Sequence, residues 1–305
     1  MSFPADMMTI EREVIHMARK RLTQMFPFLL PLRRWQRKKC FYWKMWWDRN
    51  KYAKERQKEH LPCEVYRTSS LMLNENSGFD MKYQYNKVHN LKLAAKTIDG
   101  LLIAPGETFS FWQLVRRADS REPYRDGLIL VNGQIEASYG GGLCQVSNML
   151  FWMFLHTPLT IVERHGHRVE SFPSTDEDQP CGTDATVNEG WLDLKVKNET
   201  DQTFQILITF DAEYMYGEIC SDREWPVSYE ILNRNVRYVK RDGKVYQTAL
   251  VCRIREDAVR HTRQEEELYQ NRCEIGYTLP PDIYIEEIPE PAAGGKLLER
   301  GSEAL

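Results

Sequence analysis

The chain has 305 residues, of which 42% are hydrophobic and 28% charged, with a formal net charge of −3. That is the balance of a globular protein of one or two domains, long enough to bury a sizeable core. So small a net charge excludes a molecule drawn bodily to nucleic acid or membrane.

The seven cysteines, Cys40, Cys63, Cys144, Cys181, Cys220, Cys252 and Cys273, are widely spaced and form no C-x-x-C pair. This spacing gives no support to zinc ribbons or thioredoxin-like motifs, and it points to reduced thiols in a cytoplasmic protein. The apolar run over 25–32 is too short and too proline-broken for a secretory signal, and no stretch is long enough to span a bilayer. Four regions are expected. A basic, aromatic N-terminal helical region covers 1–60 and a central domain 61–222. A β-rich extension covers 223–284, and a flexible tail 285–305.

Residues 33–58 carry eleven Lys and Arg against Asp48 and Glu55, interleaved with Trp35, Tyr42, Trp43, Trp46 and Trp47. Helical spacing puts Trp35, Tyr42, Trp46 and Ala53 near one face and predicts a helix over 35–53. Two roles fit. One is an interfacial helix, aromatics in lipid and cations on anionic headgroups. The other is a helix packed on the main domain with its charges solvated. No recognised nucleic-acid motif accompanies the charge, so no nucleic-acid partner is expected.

Val88, Leu91, Ala94, Ala95 and Ile98 recur at helical spacing, and Gly100 stands where a C-cap glycine belongs. Residues 101–104 and 108–112 read as short strands around the Pro105-Gly106 turn. Residues 128–131 and 134–137 flank Asn132-Gly133, a hairpin signature. Leu192, Leu194 and Val196, then Phe204, Ile206, Ile208 and Phe210, alternate with polar residues. They predict two half-buried antiparallel strands joined by the polar turn 198–201. Residues 236–239 and 245–254 flank Asp242-Gly243, another hairpin. Helices are few and segregated from the strands. The expected class is therefore α+β, a mostly antiparallel sheet core with a nucleophile at a helix N-terminus.

That nucleophile is Cys144, within Ser138-Tyr139-Gly140-Gly141-Gly142-Leu143-Cys144-Gln145-Val146-Ser147-Asn148. Three glycines allow close backbone approach to a substrate. From Cys144 the pattern turns helical, with Val146, Leu150 and Phe154 on one face, and Pro158 ends it. A helix N-terminus favours thiolate over thiol, and its free N–H groups suit an oxyanion. The plainer role is a small buried cysteine behind a glycine turn. Glu163-Arg164-His165-Gly166-His167-Arg168 supplies two imidazoles, on one face if the preceding strand continues. Either is a candidate base for Cys144, the other binding or orienting substrate, and structural roles compete for both. Asp184, in Gly182-Thr183-Asp184, either fixes an imidazole tautomer or caps its own turn. A zinc site of Cys144, His165, His167 and Cys181 matches no zinc spacing, so no metal or other cofactor is expected.

These motifs, with Asn90-Leu91-Lys92-Leu93-Ala94-Ala95, Pro105-Gly106-Glu107-Thr108-Phe109-Ser110-Phe111 and Asp184-Ala185-Thr186, resemble the VanW family in content and order. Lys20-Arg21-Leu22-Thr23-Gln24 and Phe26-Pro27-Phe28-Leu29-Leu30-Pro31 resemble its short members in B-type glycopeptide-resistance clusters. The resemblance covers roughly 20–280. It implies a bacterial protein linked to glycopeptide (vancomycin) resistance and peptidoglycan metabolism. Larger, exported members resemble L,D-transpeptidases in activity, using the cysteine that corresponds to Cys144. In that chemistry a thiolate attacks the carbonyl after an L-centre residue and expels D-alanine. The thioester then passes to an amine or to water. The exported members' signal, anchor and cell-wall-binding domain are not expected in this chain. Arg168 stands where many members carry a small polar residue, which alters substrate contacts. Gly140, Gly141, Gly142, Gln145, Ser147 and Arg168 are the expected substrate and oxyanion positions. Catalysis would fall to Cys144, His165, His167 and Asp184, with a peptidoglycan peptide or precursor as substrate. The alternative is a non-catalytic accessory protein that binds cell-wall precursors or a membrane-face partner.

Overall fold

The computed structural model describes residues 26–74, 78–131, 134–170 and 179–287. Two compact units divide at Asp48 and Arg49. The first contains a 3-10 turn, Pro27–Leu29, and helix α1, Leu30–Trp47. The helix stops short of the expected 53: Arg49 takes a left-handed φ of 60°, and the chain is extended by Lys51. Ala53 therefore lies outside the helical face expected to hold it. No helix among the described residues is long and apolar enough to cross a membrane.

In chain order, the second unit contains β1 (Lys51–Tyr52), β2 (Cys63–Leu71), α2 (Met81–Ala95), β3 (Leu101–Ile103), β4 (Glu107–Ser110), α3 (Phe111–Val115), β5 (Asp126–Val131), β6 (Gln134–Tyr139) and α4 (Cys144–Leu155). There follow β7 (Thr160–Glu163), β8 (Val169–Glu170), β9 (Lys195–Lys197), β10 (Phe204–Phe210), β11 (Tyr214–Ser221), β12 (Val227–Arg241), β13 (Lys244–Asp257), β14 (Thr262–Ile275) and β15 (Ile285–Glu287). Their sheets run β2-β11-β10-β3, β1-β4-β9-β7, β15-β12-β13-β14-β8, and the pair β5-β6. Pairing is antiparallel except for β1 on β4, β15 on β12 and β8 on β14. The class is α+β with mostly antiparallel sheets and few helices, as the patterning implies.

Several local expectations change. The strand expected over 108–112 ends at Ser110, whose hydroxyl accepts the Gln113 N–H and caps α3. The spacing Ser110-x-x-Gln113 carried that capping signal. Strands β9 and β10 do not pair with each other: β9 joins β4 and β7, whereas β10 joins β11 and β3. The turn between them is held open by Asn198, whose Nδ2 donates to the Ile103 and Gln202 carbonyls. Asp242-Gly243 turns the hairpin between β12 and β13 with positive φ at both positions, 52° and 73°, as a type I′ turn requires. Asn132-Gly133 lies outside the described residues, although β5 and β6 pair in register on either side of it. Within the expected tail, Ile285–Glu287 pairs with Tyr238–Lys240, and 288–305 lie outside the described residues.

The core gathers around α4. Val146, Leu150 and Phe154 are fully buried, and so are Phe151, Met153 and Leu155 on its other faces. The helix therefore packs all round, broader than a single apolar stripe. It lies on β2, β11 and α2. Gly217 of β11 permits the approach, since a Cβ there would sit 2.6 Å from Met153 Sδ.

Candidate active site

Gly140 to Leu143 form the turn that delivers the chain from β6 into α4, and Cys144 is the first residue of that helix. Gly140 and Gly142 take left-handed φ of 72° and 95°. Gly141 lies backbone to backbone on β5: a Cβ there would sit 2.3 Å from the Gly127 carbonyl carbon. Asn90 of α2 clamps this junction from inside. Its Nδ2 donates to the Gly141 and Arg125 carbonyls, and its Oδ1 accepts the Arg125 N–H. Gly140 and Gly141 thus serve packing, and Gly142 is the one of the three that lines the cleft beside Cys144.

The segment carrying Asp184 is pinned to α4 on both sides of Ala185. Ser147 Oγ donates to the Ala185 carbonyl at 2.6 Å, and Asn148 Oδ1 accepts the Ala185 N–H at 2.8 Å. Thr186 N–H donates to the His165 carbonyl at 2.7 Å. These bonds bring the 163–168 and 182–187 segments over the start of α4.

Strand β7 ends at Glu163, so the two histidines do not share a strand face. His165 turns its Nε2 to Glu163 Oε1 at 3.1 Å and does not line the cleft around Cys144. His167 lines that cleft. Its Nδ1 lies 2.5 Å from Asp184 Oδ2, and the same oxygen accepts the His167 backbone N–H at 2.6 Å.

Charge on the three groups is coupled. Burial opposes ionisation of Cys144. The hydrogen bond and charge of His167 outweigh it, aided by the Val187 backbone and the Thr186 hydroxyl, 3.6 Å from Sγ. The thiol settles below its ordinary 9.0. Burial also opposes charge on His167, yet Asp184 and Cys144 hold the imidazolium up to about 10. Asp184 is likewise kept below 3.8 against its burial, by His167 and Arg164. Each group thus favours the charged form of the other, thiolate on Cys144 and imidazolium on His167. Cys181, Cys220 and Cys273 move the other way, to about 11, 12 and 12, with burial as the main cause.

Arg164, within a quoted motif but given no role by the sequence, orders the carboxylate. Its Nη2 donates to Asp184 Oδ1 at 2.8 Å and its Nε to the Asp184 carbonyl at 2.7 Å. The guanidinium lies against the Phe151 and Tyr269 rings, 5.4 and 4.6 Å from their centroids. A planar fork between aromatic faces leaves a single orientation, which Lys would not reproduce.

The remaining sequence candidates separate. Gly142 and Gln145 line the cleft. Gln145 Nε2 donates to Ser70 Oγ and to the Leu71 carbonyl, at 2.9 and 2.7 Å. Ser147 is fully buried and belongs to the frame. Arg168 is exposed, its guanidinium 6.0 Å over the Trp191 ring, and is not among the lining residues. Among the described residues no group of three or more His, Cys, Asp or Glu is placed to hold a metal ion.

The cleft has a volume of about 630 Å³. Its lining includes residues of β2, Lys87 of α2 and residues of the β5-β6 hairpin. It also includes 179–184 with Gln247, Asn271, Cys273 and Tyr277. Residues of the C-terminal hairpins thus complete a site whose motifs lie in the central zone, a contribution the sequence did not reveal.

The family described as VanW like protein matches residues 86–220, which hold Cys144, His167 and Asp184. The vancomycin B-type resistance protein VanW of Enterococcus faecalis is 50% identical over 272 residues, covering 89% of this chain and 99% of the relative. The uncharacterized protein YoaR of Bacillus subtilis is 38% identical over 121 residues, 40% of this chain and 38% of the relative. No solved structure matches at a significant level. With 50% identity to one such protein over 89% of its length, the chain belongs to the VanW family.

Proposed function

We propose that the protein is a cysteine acyl-transferase or peptidase of L,D-transpeptidase type. It acts on peptidoglycan peptides or their precursors, in the service of the vancomycin resistance for which its Enterococcus relative is named. One observation carries this reading: Asp184 holds Nδ1 of His167, and the ring's hydrogen bond and charge pull the Cys144 thiol below its ordinary value. That is the arrangement of an activated thiol nucleophile with an oriented base.

The steps follow from the proton's position. Cys144 Sγ attacks a peptide carbonyl carbon, and the carbonyl electrons move to oxygen. On collapse the C–N bond breaks, and His167 gives its proton to the departing amine. The neutral imidazole then takes a proton from water or from an acceptor amine, which attacks the thioester and releases the thiolate. The Gln145 and Val146 amides already donate to the Gly142 and Leu143 carbonyls, so the oxyanion falls to the Cys144 N–H. The engagement of those two amides is also what favours the second reading, a non-catalytic accessory protein that binds precursors.

Helix α1 supplies the place of action in this proposal. It carries Arg33, Arg34, Arg37, Lys38, Lys39 and Lys44 and no acidic residue, and Trp35, Trp43, Trp46 and Trp47 are exposed. Such a helix docks on anionic lipid.

Intact mass spectrometry after incubation with muropeptides ending in D-alanine tests the chemistry. The expected result is an acyl adduct on the wild type and none on Cys144→Ser. No adduct from any cell-wall peptide leaves the accessory reading standing instead.

A further inference from the structure

The wall of the cleft contributed by α2 carries a cation that nothing in the chemistry above uses. Lys87 lines the cleft together with Cys144 and His167. Its stem crosses Gly142, two residues before Cys144: a Cβ on Gly142 would sit 2.3 Å from Lys87 Cγ. The glycine is therefore what admits the lysine to this wall.

Lys87 is half-buried, and among the described residues its ammonium has neither a hydrogen bond nor an ion pair. Among the described residues two carboxylates line the cleft, and both are engaged elsewhere. Asp184 is held by His167 and Arg164. Glu170 faces the Tyr277 hydroxyl at 3.3 Å and the Cys273 thiol at 3.7 Å. The β5-β6 hairpin adds the apolar side chains of Leu128, Ile129 and Ile135 to the lining of the same cleft. Burial pulls the lysine down to about 8, and none of the described carboxylates restores it. A desolvated cation without a partner costs stability, and such groups are kept where a ligand supplies the counter-charge.

We infer that Lys87 binds the terminal carboxylate of a peptide substrate, so that the cleft selects chains whose free C-terminus lies next to the carbonyl offered to Cys144. A single ammonium in an apolar wall suits one small monoanion flanked by an alkyl group. A phosphate, with more charge and more acceptor atoms, would need several donors or a guanidinium fork. The inference rests on the acyl-transfer reading only for which carbonyl lies at Cys144, since recognition of the carboxylate needs no bond to be made.

The test separates the two. In the Cys144→Ala background, N-acetyl-L-lysyl-D-alanine and its C-terminal amide are titrated by calorimetry. The acid should bind about 10-fold to 100-fold more tightly, the worth of one charge-assisted hydrogen bond. Adding Lys87→Met should abolish that preference, and Lys87→Arg should keep most of it. The unfolding midpoint of Lys87→Met should stay level or rise, because the buried cation is gone, whereas a lysine kept for packing would give a fall. Equal binding of acid and amide, no binding of either, or a preference that survives Lys87→Met overturns the assignment. An acid preference without any adduct on the wild type keeps Lys87 and removes the acyl-transfer reading. Adducts formed equally from acid and amide do the reverse.

Discussion

A single oxygen of Asp184, Oδ2, accepts both the backbone N–H and the ring Nδ1 of His167, at 2.6 and 2.5 Å. The carboxylate therefore fixes the residue as well as its ring. Nδ1 carries the shared proton, and the other ring nitrogen is left for Cys144.

This coupling gives stability a distinctive pH dependence. His167 is raised from 6.5 to about 10, so its contribution is present in full below 6.5 and lost as pH rises through 10. Cys144 is lowered from 9.0, so its contribution is present above 9.0 and lost as pH falls through the lowered value. Above both 6.5 and the lowered Cys144 value, and below 9.0, the folded and unfolded pair hold one proton each, and their joint contribution is flat. The wild-type unfolding midpoint, minus that of His167→Gln, should therefore form a plateau over that interval and fall on either side. A difference that climbs steadily across the interval would show that the pair is not coupled.

The same coupling sets thiol reactivity. Near neutral pH Cys144 should alkylate more than about 100-fold faster than Cys181 or Cys273, whose thiols lie at about 11 and 12. Peptide mapping after brief exposure to iodoacetamide reads the ratio directly. Comparable labelling of all three would remove the activated thiolate.

Arg164 and Asp184 form a part-buried pair, so deleting one partner strands the other's charge. Arg164→Ala should cost about 3 kcal/mol in chemical denaturation. Arg164→Lys should recover only part of that, because an ammonium cannot reach Asp184 Oδ1, the Asp184 carbonyl and the Gly182 carbonyl together. Full recovery by lysine would mean that charge alone matters here.

The glycines separate by what a methyl group would meet. At Gly141 it meets the backbone of Gly127, which has no room to yield, and Gly141→Ala should cost about 2–3 kcal/mol. At Gly217 it meets the flexible end of Met153, and Gly217→Ala should cost less. Thermal unfolding of the two variants gives the order.

Sequence pattern revealed the parts that depend on local order. Cys144 at the start of a helix, the Asp242-Gly243 hairpin and the antiparallel character of the sheets all follow from periodicity and turn chemistry. What it did not reveal depends on distant packing. Leu194 and Val196 alternate like half of a hairpin with Phe204 and Ile206, yet Asn198 sends the two strands to different sheets. The Arg164 orientation requires Tyr269 and Asn271, more than 100 residues away along the chain. Nothing local in the sequence says that α2 turns Lys87 into the cleft.

Helix α1 should bind vesicles containing anionic lipid, with affinity falling as salt rises. Co-sedimentation of the full chain measures it. Replacing Trp43 and Trp46 by Ala should weaken binding, and replacing Arg33 and Arg34 by Gln should flatten its salt dependence. Equal binding to neutral vesicles, or none at all, would refute the electrostatic part.

The two histidines give the sharpest test of the site, because sequence alone treated them as equivalent. His167 lines the cleft, touches Asp184 and shifts Cys144, whereas His165 turns to Glu163, whose other oxygen is held by Lys195 at 2.9 Å. What His165 supplies to the frame is its carbonyl, which accepts the Thr186 N–H whatever the side chain is. His165→Gln should therefore acylate at nearly the wild-type rate and with the same pH profile. His167→Gln should acylate about 10²–10⁴-fold more slowly, the range for losing a positioned acid–base group, and its thiol should titrate higher. Asp184→Asn should fall between them, since the ring stays near Cys144 but loses the charge that holds its proton. Adduct mass against time for the three variants, with the thiolate absorbance followed across pH, gives both readouts. If His165→Gln proves the slow variant and His167→Gln the silent one, the pairing of Cys144 with His167 is wrong.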